Sequence, residues 1–285
     1  MKFNYTSILA CLFVLTFLES YSQSNLLNAV DPIDVGKKNI DQKQSDSDSF
    51  LEYNLIDDRD ILWSKIVYEY IDLDEKLNFP LLFPTYDDPN ERIRKSLWRV
   101  IKENIINGTI TKIYQGDEDN FNYPMTSPEA KEKISIQLEF SDGSSIPKEV
   151  ESTDISGYKI KGMWYFDKKI GEMRYRLLGL MPVGEDVKQD EELDERNTNL
   201  FWIWYPSIRE VLHAAEVYND KNNATRISFD QLLVSRRFNS YIYKEDNMYG
   251  NRFIKDYKKP GLESILESER IKKEILDFEQ DMWNR

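Results

Sequence analysis

The chain has 285 residues, with 51 acidic and 38 basic side chains, a net charge of −13, one cysteine and one histidine. An acidic surface repels phosphate backbones and anionic lipid heads, which argues against nucleic acid or a bare membrane surface as partner. With 40% hydrophobic and 31% charged residues, the body reads as ordinary globular protein, long enough to bury its own core.

Residues 1–22 read as a secretory signal peptide. Lys2 supplies a minimal basic start, Ile8 to Leu18 a short apolar core, and Ser20-Tyr21-Ser22 a cleavage site near Ser22. The apolar run is too short for a membrane span. Cys11 lies inside this leader, so the exported chain has no thiol, and disulfides, thiol catalysis and cysteine-ligated zinc drop out. Residues 23–55 read as an extended N-terminal arm, because Asp41 to Ser49 has no apolar period. Residues 56–285 then form a single α+β domain, a mixed and mostly antiparallel sheet with packed helices.

Within that domain, Leu62, Trp63, Ile66, Val67, Tyr70 and Ile71 recur at helical spacing and predict a helix that ends before Pro80 and Pro84. A second helix is expected from about Glu91 to Asn107, with Ile93, Leu97, Val100, Ile101 and Ile105 inward and Gly108 as its stop. Period-two patterning then takes over. Thr109 to Tyr114 reads as a strand, as does Ile134 to Phe140 before the turn at Asp142-Gly143, and Ser141 to Gly157 as a variable loop. The alternating run Tyr158 to Phe166 and the run Glu172 to Met181 make a hairpin around a turn at Asp167 to Gly171. Glu185 to Arg196, with seven acids and two bases, reads as a solvated loop or a docking patch for a basic partner.

Leu200 to Tyr205 is apolar at every position and predicts an interior strand covered on both faces. Pro206 opens a helix whose stripe is Ile208, Val211, Leu212 and Ala215, leaving Arg209, His213 and Glu216 on its polar flank. Ser228 with Gln231 caps a further short helix. Tyr241 to Tyr243 reads as a strand, and Pro260-Gly261 introduces a terminal helix reaching Trp283.

Catalytic patterns are missing. A single histidine, His213, rules out a site of two or three histidines, and there is no Gly-x-Ser-x-Gly elbow or phosphate loop. Asp230, Glu245 and Asp246 lie near aromatics and leave open an alternative, a free carbohydrate-binding protein or a carboxylate-dependent hydrolase. No cofactor or metal is expected. Arg236-Arg237-Phe238 fits internal ion pairs or an interface anchor, and with Lys244, Glu245 and Asp246 it forms the candidate partner interface.

Several motifs in order carry a resemblance. They include Ile160-Lys161-Gly162-Met163-Trp164-Tyr165-Phe166-Asp167-Lys168, Tyr175-Arg176-Leu177-Leu178-Gly179 and Leu200-Phe201-Trp202-Ile203-Trp204-Tyr205-Pro206. Arg209-Glu210-Val211-Leu212-His213, Arg236-Arg237-Phe238-Asn239 and Ile242-Tyr243-Lys244-Glu245-Asp246-Asn247 follow. With these the chain resembles the gliding-motility GldN family, which includes the PorN secretion proteins. The resemblance implies a non-enzymatic periplasmic component of the type IX secretion and gliding machinery. It implies a ring of self-associating subunits with an outer-membrane lipoprotein of the GldK/PorK kind, and contact with the motor protein of the GldM/PorM kind. Subunits carrying −13 each repel when crowded, so the lipoprotein is expected to offer basic surface.

Overall fold

The computed structural model describes residues 49–86, 95–139, 145–184, 198–217, 227–248 and 250–283. The leader, nearly all of the arm, the Asp142-Gly143 turn, Glu91 to Arg94 and the acidic stretch Glu185 to Arg196 lie outside these residues.

β-Branched and aromatic side chains decide the first element. Ile61–Asp72 is a strand, β1, and not the helix that its spacing predicts. Ile, Val, Trp and Tyr lose rotamer freedom in a helix and pack well on a pleat. Because β1 is interior, apolar residues occupy both of its faces, and that double coverage imitates a helical period. Pro80 likewise opens a helical turn, α1 (Phe79–Leu82), where its missing N–H costs nothing. The next helix, α2 (Leu97–Ile106), starts at Ser96, whose hydroxyl accepts from the Arg99 N–H, and stops at Gly108, with φ at +77°. It buries Leu97, Trp98, Val100, Ile101 and Ile105.

The strand expected over Thr109 to Tyr114 is shorter and later, β2 (Ile113–Gln115). Two elements between it and the hairpin differ from expectation. Residues Ser127–Ile134 form helix α3, whose Glu129 carboxylate accepts from the Thr126 N–H, so Ile134 closes a helix and strand β3 runs Ser135–Glu139. The expected loop from Ser141 contains β4 (Ser145–Glu149), paired antiparallel with β3. The hairpin itself is the longest pairing, β5 (Ile155–Asp167) with β6 (Glu172–Gly184). Next come β7 (Thr198–Asn199), β8 (Phe201–Trp204), α4 (Arg209–Ala214), β9 (Glu216–Val217), β10 (Ile227–Ser228), α5 (Phe229–Val234), β11 (Tyr241–Glu245) and α6 (Leu262–Trp283).

The main sheet is antiparallel in the order β11-β1-β5-β6-β8-β2, with β7 beside β6, so β8 is interior as its sequence requires. One face meets α2, α4 and α5 through Ile71, Tyr158, Ile160, Leu180, Ile203, Leu212 and Phe229. Towards its other end that face carries α6, whose Ile271 and Ile275 pack on Val67 and Ile242. The opposite face bears Tyr68, Met181, Val183 and Trp202.

Both edges of the sheet are spoken for. At β11 the Ile242 N–H donates to the Ser268 hydroxyl (2.8 Å), and Lys244 bridges to Phe253. Beside β2, the Gln115 N–H donates to Tyr123 O (3.0 Å) and the Met125 N–H to Ile113 O (2.8 Å).

Helix α6 is fixed by a Trp63–Phe278 stack with ring centres 4.8 Å apart and by ions. Lys65 bridges Glu245 (2.9 Å) and Glu274 (3.0 Å), while Arg270 holds Glu267 (2.8 Å) and Glu274 (3.1 Å). The Arg270 hydrogen bond holds the Glu267 carboxyl below its ordinary 4.5. Burial works against the Glu274 charge, but Lys65 and Arg270 outweigh it, so its carboxyl is lowered as well.

A lowered folded-state pKa contributes stability that is present above the unfolded value and lost as pH falls through the folded one. Urea denaturation should therefore show stability falling below pH 4.5, with a shallower fall in Glu267→Gln/Glu274→Gln; equal slopes would refute this. Gly162 generates a second prediction. A Cβ there would lie 2.0 Å from the hydroxyl of Tyr175, which is wedged against Trp164 with ring centres 5.0 Å apart. Gly162→Ala should lower the unfolding free energy by about 1–3 kcal/mol, read from the denaturation midpoint.

Candidate partner interface

The residues Arg236, Arg237, Phe238, Lys244, Glu245 and Asp246 are the candidate partner interface that the sequence offers. The structure turns four of them inward. Helix α5 ends with the Arg237 N–H donating to Leu232 O (3.0 Å) and the Arg236 N–H to Leu233 O (3.2 Å), the paired bonds of a Schellman terminus. This places Arg236 in the left-handed position that glycine usually takes, with φ at +54°. Its guanidinium makes two parallel bonds to the Glu69 carboxylate of β1, at 3.0 and 2.7 Å, and lies 4.3 Å from the Tyr175 ring centre. Glu69 is only 1% exposed and also accepts from Ser240 Oγ (2.5 Å).

Of the two readings open for this arginine, the internal ion pair is present in the structure, with 24% of the side chain still exposed. Phe238 is buried in the core beside it. Lys244 is buried and paired with Asp119, and Glu245 is buried and paired with Lys65. Only Arg237 and Asp246 stand exposed.

A second buried pair lies on α4 and α5. Arg209 is not on a polar flank: it is 3% exposed and donates to Asp230 through Nε (2.9 Å) and Nη2 (3.0 Å), and the Tyr205 hydroxyl donates to the same carboxylate (2.8 Å). Two rings from residues expected to belong to the arm cover the Arg209 guanidinium, Tyr53 at 4.2 Å and Phe50 at 4.7 Å. Burial pushes the Tyr53 hydroxyl up to about 12, with the Asp230 charge adding and the Arg209 charge opposing. Asp230 and Glu245, two of the acids weighed for a carboxylate mechanism, are thus both engaged by cations of the fold. His213 is half-buried on α4. The described residues contain no cluster of three or more His, Cys, Asp or Glu able to hold a metal.

Lys159, Lys161, Phe121, Phe253 and Lys255, which the sequence does not single out, gather with the candidate Lys244 on the sheet face away from the helices. Lys161 Nζ sits 5.2 Å from the Tyr68 ring centre and 5.0 Å from that of Phe121, and donates to the Asp119 carbonyl (2.6 Å). Lys244 Nζ approaches Tyr68 (4.6 Å) and Phe253 (5.1 Å), Lys159 Nζ approaches Tyr243 (5.3 Å), and Lys255 Nζ approaches Phe253 (5.4 Å). The rings of Tyr243 and Phe253 stack at 6.0 Å and 15°. Phe121, with φ at +58°, closes one side, and only a glycine at 179 lets it seat there, since a Cβ would meet its ring at 2.6 Å.

Burial, then the nearby charge of Lys255, lowers the pKa of Lys159. Burial lowers that of Lys161, the Asp119 charge opposing and the Lys244 charge adding to the shift. The signal was visible as the lysines alternating with Tyr158 and Ile160, but that pattern alone describes any solvated strand face.

An antiparallel sheet with helices on one face and a cationic, aromatic second face, its main ion pairs spent inside the core, defines a surface-presenting α+β domain. Residues 56–284 match the family model of gliding motility associated protein GldN. The chain belongs to that family, a structural gliding-motility family with a place in type IX secretion. No curated protein matches the chain. No helix of the described residues is long and apolar enough to cross a membrane.

Arg236→Ala leaves the Glu69 carboxylate buried without its cation and should cost about 3–5 kcal/mol of unfolding free energy. Its exposed neighbour supplies the control, as Arg237→Ala should stay within about 0.5 kcal/mol. Chemical denaturation of the two variants side by side checks both, and similar losses would overturn the internal assignment of Arg236.

Proposed function

We propose that this protein is a non-catalytic periplasmic ring subunit of the type IX secretion and gliding machinery, exported by a signal peptide cleaved near Ser22. In this reading it assembles with an outer-membrane lipoprotein of the GldK/PorK kind and touches the periplasmic part of a GldM/PorM-like motor protein. The observation that carries the reading is the family match, which spans residues 56–284. The spent ion pairs support it: Glu69–Arg236 and Asp230–Arg209 stiffen the domain from within and leave other surfaces for partners.

A ring repeats one heterologous contact around an axis. Copies at −13 each oppose that closure, so a basic lipoprotein surface is the natural counter-charge. With Phe238, Lys244 and Glu245 buried and Arg236 engaged by Glu69, Arg237 and Asp246 are the two candidates whose side chains stand exposed for contact.

Co-expression with the lipoprotein should move the protein into one large species on size exclusion, ring-shaped by electron microscopy, with association weakening as salt rises. A monomer under co-expression would overturn the assembly reading and favour a free binding protein. Arg237→Glu/Asp246→Lys should reduce co-purification while the far-ultraviolet circular dichroism stays unchanged.

A further inference from the structure

We propose that the lysine–aromatic sheet face built from Lys159, Lys161, Lys244, Lys255, Tyr243 and Phe253 docks a carboxylate-rich segment of a partner polypeptide. The inference deepens the assembly reading and rests on it for the existence of a partner, but it assigns a surface and a partner chemistry of its own.

The first argument is charge. The chain as a whole carries −13, yet Lys159, Lys244 and Lys255 each come within 5.5 Å of the centre of one of the stacked Tyr243 and Phe253 rings, and Lys161 lies beside them over Tyr68 and Phe121. Among the described residues Asp119 alone places a carboxylate within ion-pairing distance of any of them, and it serves Lys244. Lys161 is met by a main-chain carbonyl and Lys159 by the side-chain carbonyl of Asn199 (2.7 Å). Four ammonium groups here face the carboxylates of Asp119 and Asp246; burial is the main cause of the lowered pKa of Lys159 and Lys161, with Lys255 adding to it at Lys159 and Lys244 at Lys161, where Asp119 and Asp246 oppose it.

The second argument is access. No α-helix residue is part of the apolar cluster on this face; its cover is the segment carrying Asp119 and Phe121 at one side and, at the other, Phe253 with the short 3-10 turn Ile254–Asp256 that carries Lys255. Lys255 is exposed, Lys159 and Tyr243 are half-buried, and Phe253 and Tyr241 keep 38% and 45% of their surface in solvent. Lysines 161 and 244, buried beneath, supply field without being touched.

The third argument selects the class of partner. A nucleic acid or an anionic bilayer is a long array of charge and meets the whole acidic surface. A short acidic peptide feels chiefly the charges within about 8 Å, the screening distance at physiological salt. Stacked aromatic rings beside ammonium groups also suit the alternating apolar and acidic side chains of a polypeptide.

The test is fluorescence anisotropy of a fluorescein-labelled hexaglutamate peptide titrated with the full exported chain. Saturable binding that weakens at least tenfold between 0.05 and 0.3 M salt, roughly as expected when several ion pairs form, supports the proposal. Lys159→Glu/Lys255→Glu should lose binding at least tenfold, and Lys255→Glu alone, at an exposed site that cannot disturb the fold, about threefold. Lys168→Glu/Lys169→Glu changes the net charge equally at the exposed hairpin turn and should leave binding intact. No binding, or equal loss in this control pair, overturns the proposal, as does preferential uptake by phosphatidylglycerol vesicles. Ring formation is scored separately. Peptide binding lost with the ring intact condemns this surface alone, whereas a monomer that still binds hexaglutamate condemns the assembly reading and leaves the surface standing.

Discussion

A carboxylate in the middle of a central strand is an expensive thing to bury, and Glu69 of β1 makes the fold answer for it. Its neighbours across the ladder are Ile160 and Ile242, so no water-facing route is open on the strand itself. An ionised group in such a place needs a partner and full hydrogen bonding. Arg236 supplies two bonds and Ser240 a third, and both come from the short connection between α5 and β11. The end of α5, its left-handed turn and the start of β11 are thereby tied to one point on β1. Such pairs add little net energy over an apolar substitute but penalise every arrangement that separates them. Here the pair sets how the edge strand and the helix layer meet.

From that anchor the sheet acquires two unlike faces. On the helix side the surfaces are consumed: Trp98, Phe201, Phe229 and Tyr205 are wholly enclosed, and their polar atoms find partners, as when Trp98 Nε1 donates to Val150 O (2.9 Å). The other side closes differently. Lysine stems lie along aromatic rings with the ammonium groups over their faces, an arrangement that tolerates partial burial because the ring quadrupole partly replaces lost water. One side is finished within the chain, while the other retains a charge excess and half-covered rings.

The parts of this fold legible in the sequence were those fixed by local rules. The β5–β6 hairpin announced itself by alternation and a turn at Gly171, α2 by its cap and its glycine stop, and β8 by an unbroken apolar run. Strand β1 was misread because residues apolar on two faces cannot be told from a helical stripe without knowing that β5 and β11 flank it. Helix α3 was missed because only Ala130 and Ile134 of its residues are buried, too few to make a period. The site suffered in the same way. Arg236 drew notice as a cation in an acidic chain, but its direction depends on Glu69, 167 residues away in sequence. Lys244 and Glu245 looked like surface charges until Asp119 and Lys65 were brought beside them.

The closed edges of the sheet limit how copies of this chain can join. Ser268 occupies the Ile242 N–H, and residues 123–125 run alongside β2, so neither rim offers a free ladder of donors and acceptors. Continuous sheets from copy to copy, the commonest route by which β-rich subunits polymerise without limit, are blocked at both ends. Copies that meet at these two rims must be held by side chains, whose geometry can specify a curvature. A fibre needs only an open edge, whereas a closed circle of defined size needs contacts of this second kind.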